Sequence, residues 1–247
     1  VAFAGSQDHL AAGKWETIDM DDAKRLAELL AAEAKADALL SAIEQAEIIV
    51  PGRTEQMVDD DIYALAERSF GVTRHWHRRI VRAGPNTLCI SAEHPPEREI
   101  AENDCVFIDL GPVFEDWEAD VGRTYVLGDD PQKLRLPEDL SLGFDAIKAY
   151  FDEHRDVTGA QLYAYAQQWA DAAGWLFGGV IAGHIVGEYP HGDIPGDKAL
   201  YRISPSNESR LRDPDATGRT KFWIIEVHLV DRSRTFGGFY ERLLVPG

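Results

Sequence analysis

The stretch Val106–Tyr125, VFIDLGPVFEDWEADVGRTY, sets two aspartates, Asp109 and Asp120, inside apolar runs that read as consecutive strands. Their midpoint falls at Phe114–Glu115, in the connecting turn. A hairpin closing there places the two carboxylates opposite each other on one face. Like charges directly across a ladder are destabilising, so this placement asks for a cation. The C-terminal part repeats the pattern. Glu226 in WIIEVHLVD and Glu241 in GGFYERLLV lie symmetrically about Ser233–Arg234, giving a second acidic hairpin from Phe222 to Val245. His184 stands between glycines in AGHIVGEYPHG, with His191 seven residues on. Glycines permit close backbone approach, and neutral imidazole is the commonest nitrogen ligand. Four carboxylates brought together raise one another's pKa unless a cation neutralises them.

The rest of the chain supplies a frame. Asp21 to Val50 reads as a long helix with an apolar stripe of Leu26, Leu29, Leu30, Leu40 and Ile43, stopped by Pro51-Gly52. Thr54 is placed to N-cap a second helix with Met57, Val58, Ile62, Leu65 and Ala66 inward and Gly71 at its end. HWHRRIVRAG (75–84), TLCIS (87–91), CVFIDLG (105–111) and ADVGRTYVLG (119–128) read as strands. Leu142–Phe151 returns to helical spacing, and another helix follows Thr158, with Leu162, Tyr165, Ala166 and Trp169 on one face and Gly174 closing it. Helices, strands, helices, strands is the order of an α+β fold with an internal two-fold echo.

Composition narrows the function. The 247 residues are 45% hydrophobic, enough for a sizeable core. A formal net charge of −18 argues against nucleic acid or an anionic membrane as the main partner. No run approaches the roughly 18 apolar residues needed to span a bilayer. The opening VAFAGSQDHLAAG lacks the features of a signal peptide. Two cysteines, Cys89 and Cys105, sit in apolar stretches and read as free thiols of a reducing cytoplasm.

The five residues Asp109, Asp120, His184, Glu226 and Glu241 resemble, in order and local context, the motif of the pita-bread metallopeptidases. That is the family of methionine aminopeptidase, aminopeptidase P and prolidase. The resemblance runs from about Ala23 to the C-terminus and includes the PGRTE turn at 51–55. It implies a curved antiparallel sheet with pseudo-two-fold repeated halves flanked by helices. It makes residues 21–247 a single catalytic domain, after an N-terminal extension over 1–20 and without the large N-terminal domain of two-domain members. It also implies two divalent metals: Asp120 and Glu241 bridging, Asp109 on one, His184 and Glu226 on the other, and a metal-bridging hydroxide attacking the scissile carbonyl. Glu226 is then the proton shuttle and His191 the stabiliser of the tetrahedral intermediate. An oxygen-rich shell with one imidazole favours Mn²⁺, with Co²⁺, Fe²⁺ or Zn²⁺ as alternatives. A small peptide substrate, cleaved at an N-terminal or Xaa-Pro bond, and a homodimer follow by the same resemblance.

Two positions depart from the family pattern. A histidine expected beyond the Gly84-Pro85-Asn86 turn is Ser91, and the prolidase-type histidine four residues before the metal-binding one is Val180. His75 and His77 read as structural, with a supply of imidazole from another direction as the alternative. Arg78, Arg79 and Arg82 read as surface ion pairs, with a clamp on a substrate carboxylate as the alternative. Trp76, Trp117, Trp175 and Trp223 are candidates for either core or pocket. Hydrolysis of a non-peptide C–N bond, and a non-catalytic binding module, are the competing functions.

Overall fold

The computed structural model describes residues 20–245; the extension and signal-peptide readings of the first nineteen residues lie outside this range. Helix α1 (Met20–Gln45) ends five residues before the expected Val50. Glu47 takes a left-handed backbone, φ 49°, and the Ile48 amide reaches back to the Ile43 carbonyl. A left-handed stop made by a non-glycine residue leaves no sequence signal. Leu29, Leu40 and Ile43 are buried as the stripe requires, but Leu30 is exposed. Helix α2 (Glu55–Phe70) starts as expected: Thr54 Oγ1 accepts from the Met57 amide, and Gly71 at φ 69° closes it. Val58, Ile62, Leu65 and Ala66 are buried, whereas Met57 is exposed.

Of the expected strand 75–84, only β1 (Ile80–Ala83) forms, and 87–91 forms no strand. Gly84 at φ 51° with Pro85 turns the chain into a 3-10 turn over Gly84–Leu88. There the Thr87 hydroxyl donates to the Gly84 carbonyl and accepts from the Gly237 amide. Strand β2 (Cys105–Leu110) leads into a short hairpin, β3 (Val113–Phe114) and β4 (Trp117–Glu118), before β5 (Val121–Val126). Helix α3 (Pro131–Glu153) is longer than the expected 142–151. Pro137 lies inside it, and Asp130 caps its start by accepting from the Gln132 and Lys133 amides. Helix α4 (Gly159–Ala172) begins at a reciprocal capping pair, Thr158 with Gln161. Strands β6 (Leu176–Phe177), β7 (Gly183–Val186), β8 (Phe222–Val230) and β9 (Gly237–Leu244) complete the chain.

One antiparallel sheet runs β1-β2-β5-β9-β8-β6, with β7 also on β8. Each half is a hairpin with an edge: β2–β5 flanked by β1, and β9–β8 flanked by β6 and β7. The halves meet where Gly122 pairs with Glu241. Nearby, the Thr124 hydroxyl donates to the Phe239 carbonyl and accepts from the Phe239 amide, replacing a ladder pair with a side chain. Strand alternation sends Ile108, Leu110 and Val121 into a core with α1 and α2. It likewise sends Ile225, Val227 and Leu229 into a core with α3 and α4. The intervening residues Asp109 and Glu226 therefore point to the other face.

Candidate metal centre

Strand register brings the acidic residues together. Reading across the sheet, Ile80, Asp109, Gly122, Glu241 and Glu226 occupy one transverse row. Glu226 and Glu241 face each other directly, as the symmetric spacing predicts. Asp109 and Asp120 do not. The turn between them is Glu115–Asp116, one residue later than expected, with Glu115 at φ 59°. Asp109 consequently pairs with Gly122, and Asp120 falls two residues back on the same face, diagonal rather than opposite. His184 pairs with Ile224, two residues before Glu226, so it is displaced along the strands in the same direction as Asp120.

These side chains converge. His184 Nε2 lies 3.0 Å from Asp120 Oδ2, 3.6 Å from Glu241 Oε1 and 3.7 Å from Glu226 Oε1. His77 Nε2 lies 3.2 Å from Asp120 Oδ1 and 3.3 Å from Asp109 Oδ1. His77 belongs to the segment read as structural, and the structure instead brings it against both aspartates. Two donor groups of metal-binding size result, His77–Asp109–Asp120 and Asp120–His184–Glu241, sharing Asp120. Among the described residues no Lys or Arg forms an ion pair with Asp109, Asp120, Glu226 or Glu241; only imidazoles do.

The donor set fits divalent cations. Asp109 Oδ1 and Asp120 Oδ2 are buried and accept no hydrogen bond, although imidazole nitrogens lie close. These two partnerless oxygens are oriented like ligands aimed at a common point, while Asp120 Oδ1 is hydrogen-bonded to His77 Nε2 at 3.2 Å. Separations of about 3 Å are those of neighbouring ligands around a cation bound at about 2.1 Å. Buried carboxylates without such compensation would be costly.

Electrostatics without a cation show the stress. Burial pushes Glu241 well above the usual carboxylate range, and Asp120 and Asp109 add to it. Burial likewise raises Glu226 to about 7, against the pull of His184. Burial and Asp120 lift Asp109 to about 6, partly offset by His77. Burial also opposes ionisation of Asp120, yet the imidazoles, His77 foremost, bring it down to about 2. Burial disfavours charge on His77, but Asp109 and Asp120 raise it to about 9. His184 rises well above its ordinary value against the same burial, through Asp120 and Glu241. His75, by contrast, is lowered to about 4 by burial and by Arg79. Both its ring nitrogens are buried without a hydrogen-bond partner, and the ring packs near Tyr63, centroids 6.3 Å apart, rather than in the carboxylate cluster.

His191 does not join the ligand cluster. Its Nδ1 lies 2.5 Å from Glu118 Oε2, and its amide donates to Glu118 Oε1 at 3.0 Å. Glu118 is buried, and sequence reasoning missed it because its partner lies 73 residues away. Trp76 is wedged edge-on between His77, His184 and His191, with ring centroids 4.4, 5.0 and 4.8 Å away. Of the other tryptophans, Trp175 and Trp223 are core and Trp117 packs at the core's edge. The arginine cluster is committed elsewhere or exposed: Arg79 forms a fork with Asp59, Arg82 donates to the Glu93 carbonyl, and Arg78 faces solvent.

A cavity of about 590 Å³ opens onto these groups. Ile80, Phe107 and Phe239 form an apolar wall, and Lys198 and Arg202 bring positive charge. Ser91, where the family pattern has a histidine, and Val180 also line it. Lys198 and Arg202 were not singled out from the sequence; nothing local marks them as cavity residues.

Comparison with known proteins agrees with this architecture. No curated protein sequence matches the chain significantly. Among solved structures, a prolidase from Thermococcus sibiricus superposes with a TM-score of 0.67 at 21% identity, covering 89% of this chain and 55% of that one. A dipeptidase from Mycobacterium ulcerans gives 0.66 at 26% identity, covering 90% and 55%. Methionine aminopeptidase from Rickettsia prowazekii gives 0.64 at 16%, covering 90% and 92%. The chain thus spans about half the length of the prolidase and dipeptidase, and nearly all of the aminopeptidase. The fold is the pita-bread fold. The profile of metallopeptidase family M24 matches residues 27–215, and the chain belongs to that family.

Proposed function

We propose that the chain is a dinuclear metal-dependent peptidase that hydrolyses an N-terminal or Xaa-Pro peptide bond. The observation that carries this reading is Asp120, whose two carboxylate oxygens face two separate donor groups. Asp109, Asp120, His184, Glu226 and Glu241 would hold the two ions, with Asp120 common to both donor groups, and Mn²⁺ is the ion we assign. When bound, a divalent pair polarises the scissile carbonyl and lowers the pKa of an attacking water.

The chain's own residues do the rest. Glu226 takes the proton of the attacking water at Oε1 or Oε2 and delivers it to the leaving amine. His191, held through Nδ1 by Glu118, keeps Nε2 available to the cavity. There it stabilises the oxygen that gains negative charge. The apolar wall receives a substrate side chain, and Trp76 keeps the imidazoles from turning. Two free thiols, one with its pKa pushed up to about 12 by burial, support a reducing compartment.

Ser91 favours a second reading, a specialised C–N bond substrate for the same machinery. The test is metal content after stripping and reconstitution with Mn²⁺, followed by a screen of Xaa-Pro peptides, N-terminal peptides and non-peptide amides. About two metals per chain and peptide turnover support the first reading. Metal-dependent turnover of amides alone moves the second forward. No stoichiometric metal removes both.

A further inference from the structure

The first half of the site holds an imidazole that the five-ligand motif does not contain. We propose that His77 is a sixth protein ligand, so that each of the two metal positions carries one imidazole nitrogen. This rests on the dinuclear reading above.

Four observations converge on it. His77 and His184 have the same backbone anchor: each Nδ1 donates to the carbonyl of the next residue, Arg78 at 2.8 Å and Ile185 at 2.7 Å. A carbonyl can only accept, so Nδ1 carries a proton. The proton that His77 Nε2 shares with Asp120 Oδ1 without metal is the one a cation displaces, which leaves Nε2 as the ligand atom, the usual backing of a metal-bound histidine. Asp120 stands between the rings, Oδ1 at 3.2 Å from His77 Nε2 and Oδ2 at 3.0 Å from His184 Nε2. The bridging carboxylate thus sees equivalent nitrogen partners on its two sides. Trp76 packs edge-on against both rings and fixes their planes.

Finally, the fold makes room for the ring. A Cβ on Gly111 would come 2.2 Å from His77 Cδ2 and 2.5 Å from His77 Nε2. Any side chain there would evict the imidazole. Gly111 lies two residues after Asp109 on the site face of the sheet, so its bare backbone forms the floor on which His77 sits. The Trp76 amide donates to the Gly111 carbonyl at 2.9 Å, tying the histidine segment to this floor.

A second nitrogen changes the chemistry of the site. Imidazole at both positions moves the preference from an oxygen-only site toward Co²⁺ and Zn²⁺ at the Asp109 position. The experiment is imidazole ¹⁵N NMR of the full chain loaded with Zn²⁺, in the wild type, His77→Gln and His184→Gln, with metal stoichiometry by calorimetry. Circular dichroism of the metal-free proteins serves as the folding control. Two metal-bound imidazole nitrogens in the wild type are expected, each variant losing one, with at least tenfold weaker binding of one equivalent in His77→Gln. Two bound metals with a single metal-bound imidazole, belonging to His184, would overturn the inference and leave the dinuclear reading standing. No bound metal in the wild type would overturn both. A Gly111→Ala variant that keeps both metal-bound nitrogens would overturn the argument from space.

Discussion

The two acidic hairpins solve the same problem differently. In the C-terminal one, β8 and β9 pair without interruption over eight positions, so Glu226 and Glu241 meet head-on. In the N-terminal one, the β3–β4 flap moves the turn, and the aspartates are staggered: Asp109 faces Gly122, and the same register carried on puts Asp120 across from Gly111. Each aspartate stands opposite a glycine, and the room a side chain would take there is filled by His77 at Gly111 and by Phe239 at Gly122. The staggered pair takes its counter-charge from His77 and the opposed pair from His184, and in each a carboxylate stays raised, Asp109 to about 6 and Glu226 to about 7. A register offset of one position at a turn thus decides whether two carboxylates meet head-on or stand diagonally with room for an imidazole beside them.

Experiments can strain that contrast from either side. Removing the carboxylate common to both donor groups has the largest effect: Asp120→Ala is expected to lose both metals and at least about 10⁴-fold in kcat/KM, measured by metal analysis and peptide turnover. Retention of one metal would mean that the hairpins bind independently. Next, Glu226→Gln removes the proton carrier while keeping shape; kcat is expected to fall by about 10²–10⁴-fold. A change confined to KM would argue that Glu226 only positions substrate.

Stability of the metal-free protein tests the strained hairpin directly. Glu241→Gln removes one of two facing acids, and the thermal midpoint without metal is expected to rise by about 2–4 °C, while the rise on adding Mn²⁺ disappears. The pH dependence has a defined sign. His77 is raised from 6.5 to about 9, so its contribution is complete below pH 6.5 and is lost as pH climbs through 9. Glu226 is raised from 4.5 to about 7, so its contribution is complete below pH 4.5 and is lost as pH climbs through 7. Both act in one direction, so the metal-free midpoint should fall between pH 6 and 9 in a scanning calorimeter. Over the same interval the stabilisation from added metal should grow, because fewer protons must be displaced. The last effect concerns the seam between the hairpins and touches stability alone. Thr124→Val leaves the Phe239 amide and carbonyl without their hydroxyl partner and should cost about 1–3 kcal/mol in urea unfolding.

What could be read from the sequence was what local chemistry specifies. Thr54, Gly71 and Thr158 announce helix ends because a cap is made within four residues. The opposed glutamates were legible because an uninterrupted hairpin obeys symmetry about its loop. The aspartate pair was not, because the flap shifts its symmetry point. The start of α3 was hidden behind Pro137, which a helix tolerates here because packing of Leu136 and Leu140 offsets the lost hydrogen bond. The partners of Glu118, and of His77, for which the sequence suggests an imidazole only as an alternative and from an unspecified direction, stayed hidden for a different reason. They are assembled by sheet register and by a gap at Gly111, which no spacing along the chain encodes.

The seam between β5 and β9 has a mechanical consequence. Along the β5–β9 border one residue pair and the Thr124 hydroxyl join the halves beside the clustered carboxylates, with Thr87 tying Gly237 and His228 to the first half further along. Ions seated between Asp120 and Glu241 would fasten the two halves like a rivet through a lap joint. Amide exchange across Gly122 and Phe239 should therefore slow on metal loading more than anywhere in the helices, making rigidity of the joint a direct gauge of occupancy.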